Sequence, residues 1–138
     1  MITWIPLAFL GAAFAALVSI FGKIGLQTID STTATTVRAV IMAVFLVGVA
    51  LVLGKLSPAQ LPQGKTLLFI ILSGVAGALS WLCMFGALKL GSANGVAAID
   101  RLSVVFVVIF SLLFLGVPFS WKAFLGAAMI VGGALLLI

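Results

Sequence analysis

The sequence predicts an all-α integral membrane protein with five transmembrane helices in one domain, residues 1–138. Composition is the first reason. Of 138 residues, 65% are hydrophobic and 7% charged, whereas soluble domains run at about 45–50% apolar and about 25% charged. A water-soluble fold has no way to hide that much apolar surface, so lipid is the expected solvent. Segmentation is the second reason: the apolar residues fall into five runs near the roughly 20 residues that a membrane helix needs. The third is the lack of alternation. A membrane β-strand alternates apolar and polar residues over about ten positions, and no run here does so.

The first helix is expected from about Trp4 to Gly25. Ala13-Phe14-Ala15 inside it resembles a cleavage site, but no positive segment precedes it. The apolar run is also longer than the about 7–15 residues of a signal peptide's core, so it is read as a span. Gln27, Asp30 and Ser31 end it in a polar loop. The second helix runs from about Ala34 to Gly54, with Arg38 near its start. Lys55 to Lys65 is a loop in which Pro58 and Pro62 favour turns. The third helix, about Thr66 to Leu88, carries no charge. Lys89 to Ser92 is a tight connection. The fourth, about Ala93 to Leu115, holds Asp100 and Arg101 and is broken by Gly116-Val117-Pro118. The fifth runs from about Ser120 to Ile138. Trp4 and Trp121 begin helices one and five. Two interfacial Trp on one membrane side fit an odd number of spans.

Charge excludes several function classes. Five Lys and two Arg against two Asp give a net charge of +5, with no Glu, His or Tyr. The cations are scattered singly along apolar helices, which does not make a nucleic-acid footprint. Cys83 is the only cysteine, so an internal disulfide or a cysteine metal site is not expected, and a lone apolar-flanked cysteine reads as a small hydrophobe. Without His or Glu, and with each Ser lacking a base beside it, neither an enzyme nor a bound metal or cofactor is expected. With five spans, Lys55, Lys65 and Lys122 lie on the side of the N-terminus, and Lys23, Arg38, Lys89 and Arg101 toward the other. The excess of Lys and Arg that orients membrane proteins is nearly absent, so insertion in both orientations and an antiparallel homodimer are expected.

The candidate site comes from the charges inside the spans. An ionisable side chain at a helix centre costs about 2.5–3.5 kcal/mol on insertion scales. Lys23, Arg38, Asp100 and Arg101 all approach from one membrane face at comparable depth. Asp100 and Arg101 point about 100° apart on a helix, so Asp100 is expected to pair with Lys23 or Arg38 instead. Two readings stand: helix-locking ion pairs with snorkelling ends, or a substrate or proton site in a polar cavity. The surplus of cations over the one intramembrane acid favours the second and an anionic or zwitterionic substrate. Trp81, in the outer half of helix three, and Asn94, opening helix four, are further candidates. Small residues let membrane helices approach closely. Gly126 and Gly133, seven residues apart and so on one face of helix five, mark either packing within the chain or the dimer interface.

Three stretches resemble a single EamA-type repeat of the drug/metabolite transporter superfamily: FGKIGLQTIDSTTATTVRA, LSGVAGALSWLCMFGALKLGSANGVAAIDRLSVVF and FLGVPFSWKAFLGAAMIVGGALLL. The likeness covers nearly the whole chain. It is most specific from ALKLG to IDRLS and in the LG-x-P-x-x-WK-x-x-LGA ending. Most members carry two inverted repeats making ten helices; this chain resembles the short members with one. The resemblance implies a carrier of small metabolites in a bacterial or archaeal inner membrane, with Lys23, Asp30, Arg38, Asp100 and Arg101 at matching positions and Asp100 and Arg101 at the cavity. The chain departs from the pattern at Val117, where the family usually has Glu, and at Gly86, where short members tend to have Arg. Each departure removes a charge. Within this class a proton-coupled exporter of cationic drugs is the alternative substrate reading; outside it, a non-transporting membrane subunit or lipid-handling accessory.

Overall fold

The computed structural model describes residues 4–57 and 62–138. The described residues are helical, with short connections and no strand. The helices are α1 (Trp4–Gly25), α2 (Ser31–Val52), α3 (Gly64–Leu90), α4 (Ala93–Asp100), α5 (Ser103–Phe114) and α6 (Trp121–Leu135). Among the described residues four stretches are long and apolar enough to cross a membrane: α1, α2, α3 and Ala93–Phe114, the last combining α4 and α5. At 1.5 Å per residue a 22-residue helix is about 33 Å long, matching a hydrocarbon core of about 30 Å. α6 is shorter than expected, with 15 residues, and reaches about 22 Å. Its start is set by Ser120, whose hydroxyl caps the Ala123 N–H at 3.5 Å. The turn expected at Pro58 lies outside the described residues, and Pro62 sits in the irregular segment before α3.

The exposure pattern suits a lipid solvent. Among the described residues the buried apolar side chains are Leu26, Phe85, Leu88, Ala98, Ala127 and Ala134, while Phe9, Val44, Phe69 and Phe106 are among the many large apolar residues left exposed. In water such a surface would aggregate. In a bilayer it is the surface that lipid covers, and three of the six buried apolar side chains are Ala, a small type through which membrane helices approach closely.

Helix ends follow from local chemistry. Asp30 caps α2: its Oδ2 accepts from the backbone N–H groups of Thr32 at 2.8 Å and Thr33 at 3.2 Å. Those two bonds, Thr33's first, hold the Asp30 carboxyl below its ordinary value, with the positive charge of Lys89 adding to them. The other end of α2 closes in a Schellman arrangement. Gly54 N–H bonds Leu51 O at 3.0 Å and Lys55 N–H bonds Ala50 O at 2.8 Å. Gly54 takes φ +64°, and a Cβ built there meets nothing within 4 Å. Gly54→Ala is therefore expected to act through backbone strain alone, costing about 1–2 kcal/mol. A melting curve in detergent measures it, and an unchanged midpoint would show that the motif yields without cost.

The chain divides into two compact units. One contains α1, α4, α5 and α6, from residues up to Ile24 and from Leu90 onward; the other, Gly25–Lys89, contains α2 and nearly all of α3. In the first, α6 packs on both α4 and α5, and its buried residues are Ala127 and Ala134. Lys23 Nζ donates to Gly91 O at 2.7 Å, tying the end of α1 to the connection before α4. In the second, Leu88 is fully buried. Lys89 Nζ donates to Ile29 O at 2.6 Å, joining the end of α3 to the residue before the α2 cap.

Candidate functional site

The expected fourth helix is interrupted at the two residues that drew attention to it. α4 ends at Asp100 and α5 begins at Ser103. Between them Arg101 (φ −65°, ψ −15°) and Leu102 (φ −61°, ψ −18°) tighten the chain. The backbone bonds shift from four-residue to three-residue spacing: Arg101 N–H to Ala98 O at 3.1 Å, Leu102 to Ile99 at 2.9 Å, and Val104 to Arg101 at 3.1 Å. Such 3₁₀ stretches inside a helix often mark a hinge. Counting from Ala93, the break lies about 12 Å along a span of about 33 Å, well inside the hydrocarbon region. Ser92 starts the run by capping Gly95 N–H at 3.1 Å.

Asp100 does not follow the expected pairing. Its Oδ2 lies 3.4 Å from an Arg101 Nη, with the side chains 38% and 51% exposed respectively. The expectation rested on Cβ directions about 100° apart, but Arg is long enough to swing back across that angle, so its neighbour became its partner. The pair is open to its surroundings, and a charged pair at this depth calls for water or a ligand around it.

Lys23, half-buried, is engaged with the Gly91 carbonyl. Asn94 is exposed in the first turn of α4. In the other unit Arg38 and Trp81 do come together. The Arg38 guanidinium sits 3.6 Å from the Trp81 ring centroid and 5.6 Å from that of Phe85. The two rings meet edge to face at 5.9 Å and 68°. Phe85 was not among the expected residues; its position four after Trp81, on the same helical face, is the signal that would have found it. Gly126 and Gly133 are exposed, and a Cβ on either meets nothing within 4 Å. Packing within the described chain therefore uses the neighbouring Ala127 and Ala134 instead.

The arrangement offers a half-exposed ion pair at a helix break, a ring-backed guanidinium and a lysine on a backbone carbonyl. Charged groups of these kinds are suited to holding ions, and among the described residues none of them forms a nucleophile–base pair. Among the described residues no cluster of His, Cys, Asp or Glu could hold a metal ion.

Comparison with known proteins agrees with the resemblance. The EamA-like transporter family matches residues 2–138. A protein of Sinorhizobium sp. named "Uncharacterized transporter in cobO 3'region" is 45% identical over 136 residues, covering 98% of this chain and 96% of its own. No solved structure matches. With the family match running from residue 2 to residue 138 and the apolar helices to go with it, this chain is a multi-pass membrane protein that belongs to the EamA-like transporter family.

Proposed function

We propose that the protein moves a small anionic or zwitterionic metabolite across the cell membrane of a bacterium or archaeon by alternating access, as an antiparallel homodimer. The observation that supports this reading is the interrupted span at Asp100–Arg101. Carriers build their sites near the midplane from discontinuous helices, and irregular backbone at that depth is tolerated where it is buried in protein or lines a water-filled cavity. The excess of Lys and Arg over Asp favours a substrate bearing negative charge. Two copies in opposite orientations would rebuild the inverted ten-helix arrangement usual for the family. In this reading Asp100 and Arg101 touch substrate at the break, with Lys23 and Asn94 as further contacts in the same unit, while Arg38 and Trp81 are candidate contacts of the other unit taken by itself.

Purified protein in liposomes provides the test. Counterflow of labelled carboxylates, phosphate esters and amino acids is expected for at least one compound. Flux confined to cationic drugs and driven by a proton gradient would replace this reading with the exporter one, for which Asp100 is the single intramembrane acid available. No flux of any class would leave a membrane subunit without transport.

The dimer makes its own prediction. A tag at the C-terminus is expected on both faces of the membrane, and added lysines in one loop should bias it to one face. One-sided labelling of the whole population would remove the antiparallel arrangement.

A further inference from the structure

We infer that Arg38, backed by Trp81 and Phe85, is a built oxyanion subsite that takes the carboxylate or phosphate group of a small ligand. This rests on the transporter reading for its purpose, though not for its geometry. Arg38 is the eighth residue of α2, so its Cα lies about 10 Å from the helix start, inside the hydrocarbon region. A snorkelling arginine at that depth would stretch toward the headgroups. This one does not: Phe85 lies one turn nearer the end of α3 than Trp81, yet the guanidinium is 3.6 Å from the deeper ring and 5.6 Å from the shallower one. The rings hold it inward.

A guanidinium stacked on an indole keeps its hydrogen-bond donors at its edge, because the ring contacts its face. Among the described residues the one ion pair is Asp100–Arg101, and no protein acceptor bonds to Arg38. A half-buried guanidinium with five donors and no protein acceptor is poised for a bidentate acceptor, and carboxylate and phosphate fit that fork. Trp81 also fixes the plane of the fork, lowering the side-chain entropy that binding must remove. Phe85, buried and edge-on to Trp81, fixes the indole in turn. The ligand this selects is a small acid able to reach the guanidinium, and a phosphate could come from such a solute or from a lipid headgroup.

The experiment measures binding with no membrane gradient, so it does not depend on flux. Protein in dodecyl maltoside, which carries no phosphate, is titrated with radiolabelled benzoate and with phenyl phosphate, and with benzamide as the neutral counterpart. Saturable binding of the two anions but not of benzamide is expected. Arg38→Lys keeps the charge but loses the fork and the stacking, and should weaken binding about tenfold or more. Trp81→Leu leaves Arg38 in place without its backing and should weaken binding several-fold; it serves as the reading if Arg38→Lys fails to fold. Equal binding of benzamide, or anion binding unchanged in the folded variants, would overturn the subsite. In mixed micelles with phosphatidylglycerol, loss of benzoate binding through competition assigns the oxyanion to a lipid headgroup, whereas unchanged binding assigns it to a soluble acid; either result keeps the guanidinium as the receptor. Anion binding without flux in liposomes would sink the transporter reading alone, and flux of an acid untouched by Arg38→Lys, with no binding in micelles, would sink the subsite alone.

Discussion

Asp100→Asn is expected to reduce flux through reconstituted protein about tenfold or more, a barrier change of at least about 1.4 kcal/mol, while the melting temperature in detergent hardly moves. The stability half follows from the geometry of the pair. Asp100 and Arg101 meet at 3.4 Å with both side chains well exposed, and in the water-filled cavity that the transport reading requires such a pair contributes about 0–1 kcal/mol. Had Asp100 met Lys23 or Arg38 in a buried pair, removing it would cost about 3–5 kcal/mol. The activity half follows from position. Asp100 is the last residue of α4, at the point where the span changes its hydrogen-bond spacing. Removing its charge leaves Arg101 without its counter-ion and changes how the break meets a substrate. Thermal stability and pH-dependent uptake, wild type against variant, separate the alternatives. A large fall in melting temperature with proton coupling intact would make the pair structural. Coupling lost at unchanged stability would make Asp100 the proton site of a cation exporter. If neither measurement moves, Asp100 reaches only water or headgroups, and the break is not the site.

The two faces of α6 should respond in opposite ways to the same enlargement. Ala127→Leu or Ala134→Leu forces extra methylenes into the buried face by which α6 packs on α4 and α5. Overpacking of that kind costs about 1–3 kcal/mol and should lower the melting temperature of the single chain. Gly126→Leu or Gly133→Leu adds one carbon more than that, one residue earlier, where a Cβ meets nothing within 4 Å. The chain should tolerate it, but a partner helix approaching through those glycines would be pushed away. For the proposed dimer, crosslinking in detergent should then show conversion largely to monomer. A proposed dimer that survives both glycine changes would have its seam on another helix, with Gly11, Ala12, Ala15 and Ala16 of α1 or Gly74, Gly77 and Ala78 of α3 next in line.

Much of the fold was legible because lipid imposes a simple rule: a span must be apolar for its whole length. Hydropathy alone places α1 at Trp4–Gly25 and α2 and α3 to within a few residues of their ends. The same rule is blind to backbone spacing, so the break at Arg101–Leu102 was read as continuous helix; no Gly or Pro marks it. α6 was read too long because its flanks are as apolar as its middle, and only the Ser120 cap and the turn after Leu135 limit it. Arg38 and Trp81 could each be named from type and depth. Their stacking depends on how α2 meets α3, which no single-helix pattern encodes. The mistaken partner for Asp100 came from treating a side chain as its Cβ direction, a fair rule for Asp and a poor one for Arg.

The two tightened residues also change the phase of everything after them. A residue at three-residue spacing turns about 120° about the helix axis, against about 100° in an α-helix. Arg101 and Leu102 together therefore advance α5 by roughly 40° relative to the rotation that α4 would have continued. A helical wheel drawn for Ala93–Phe114 as one cylinder mixes two registers. Ala98, buried on α4, and the residues that wheel would stack beneath it on α5 do not share an azimuth.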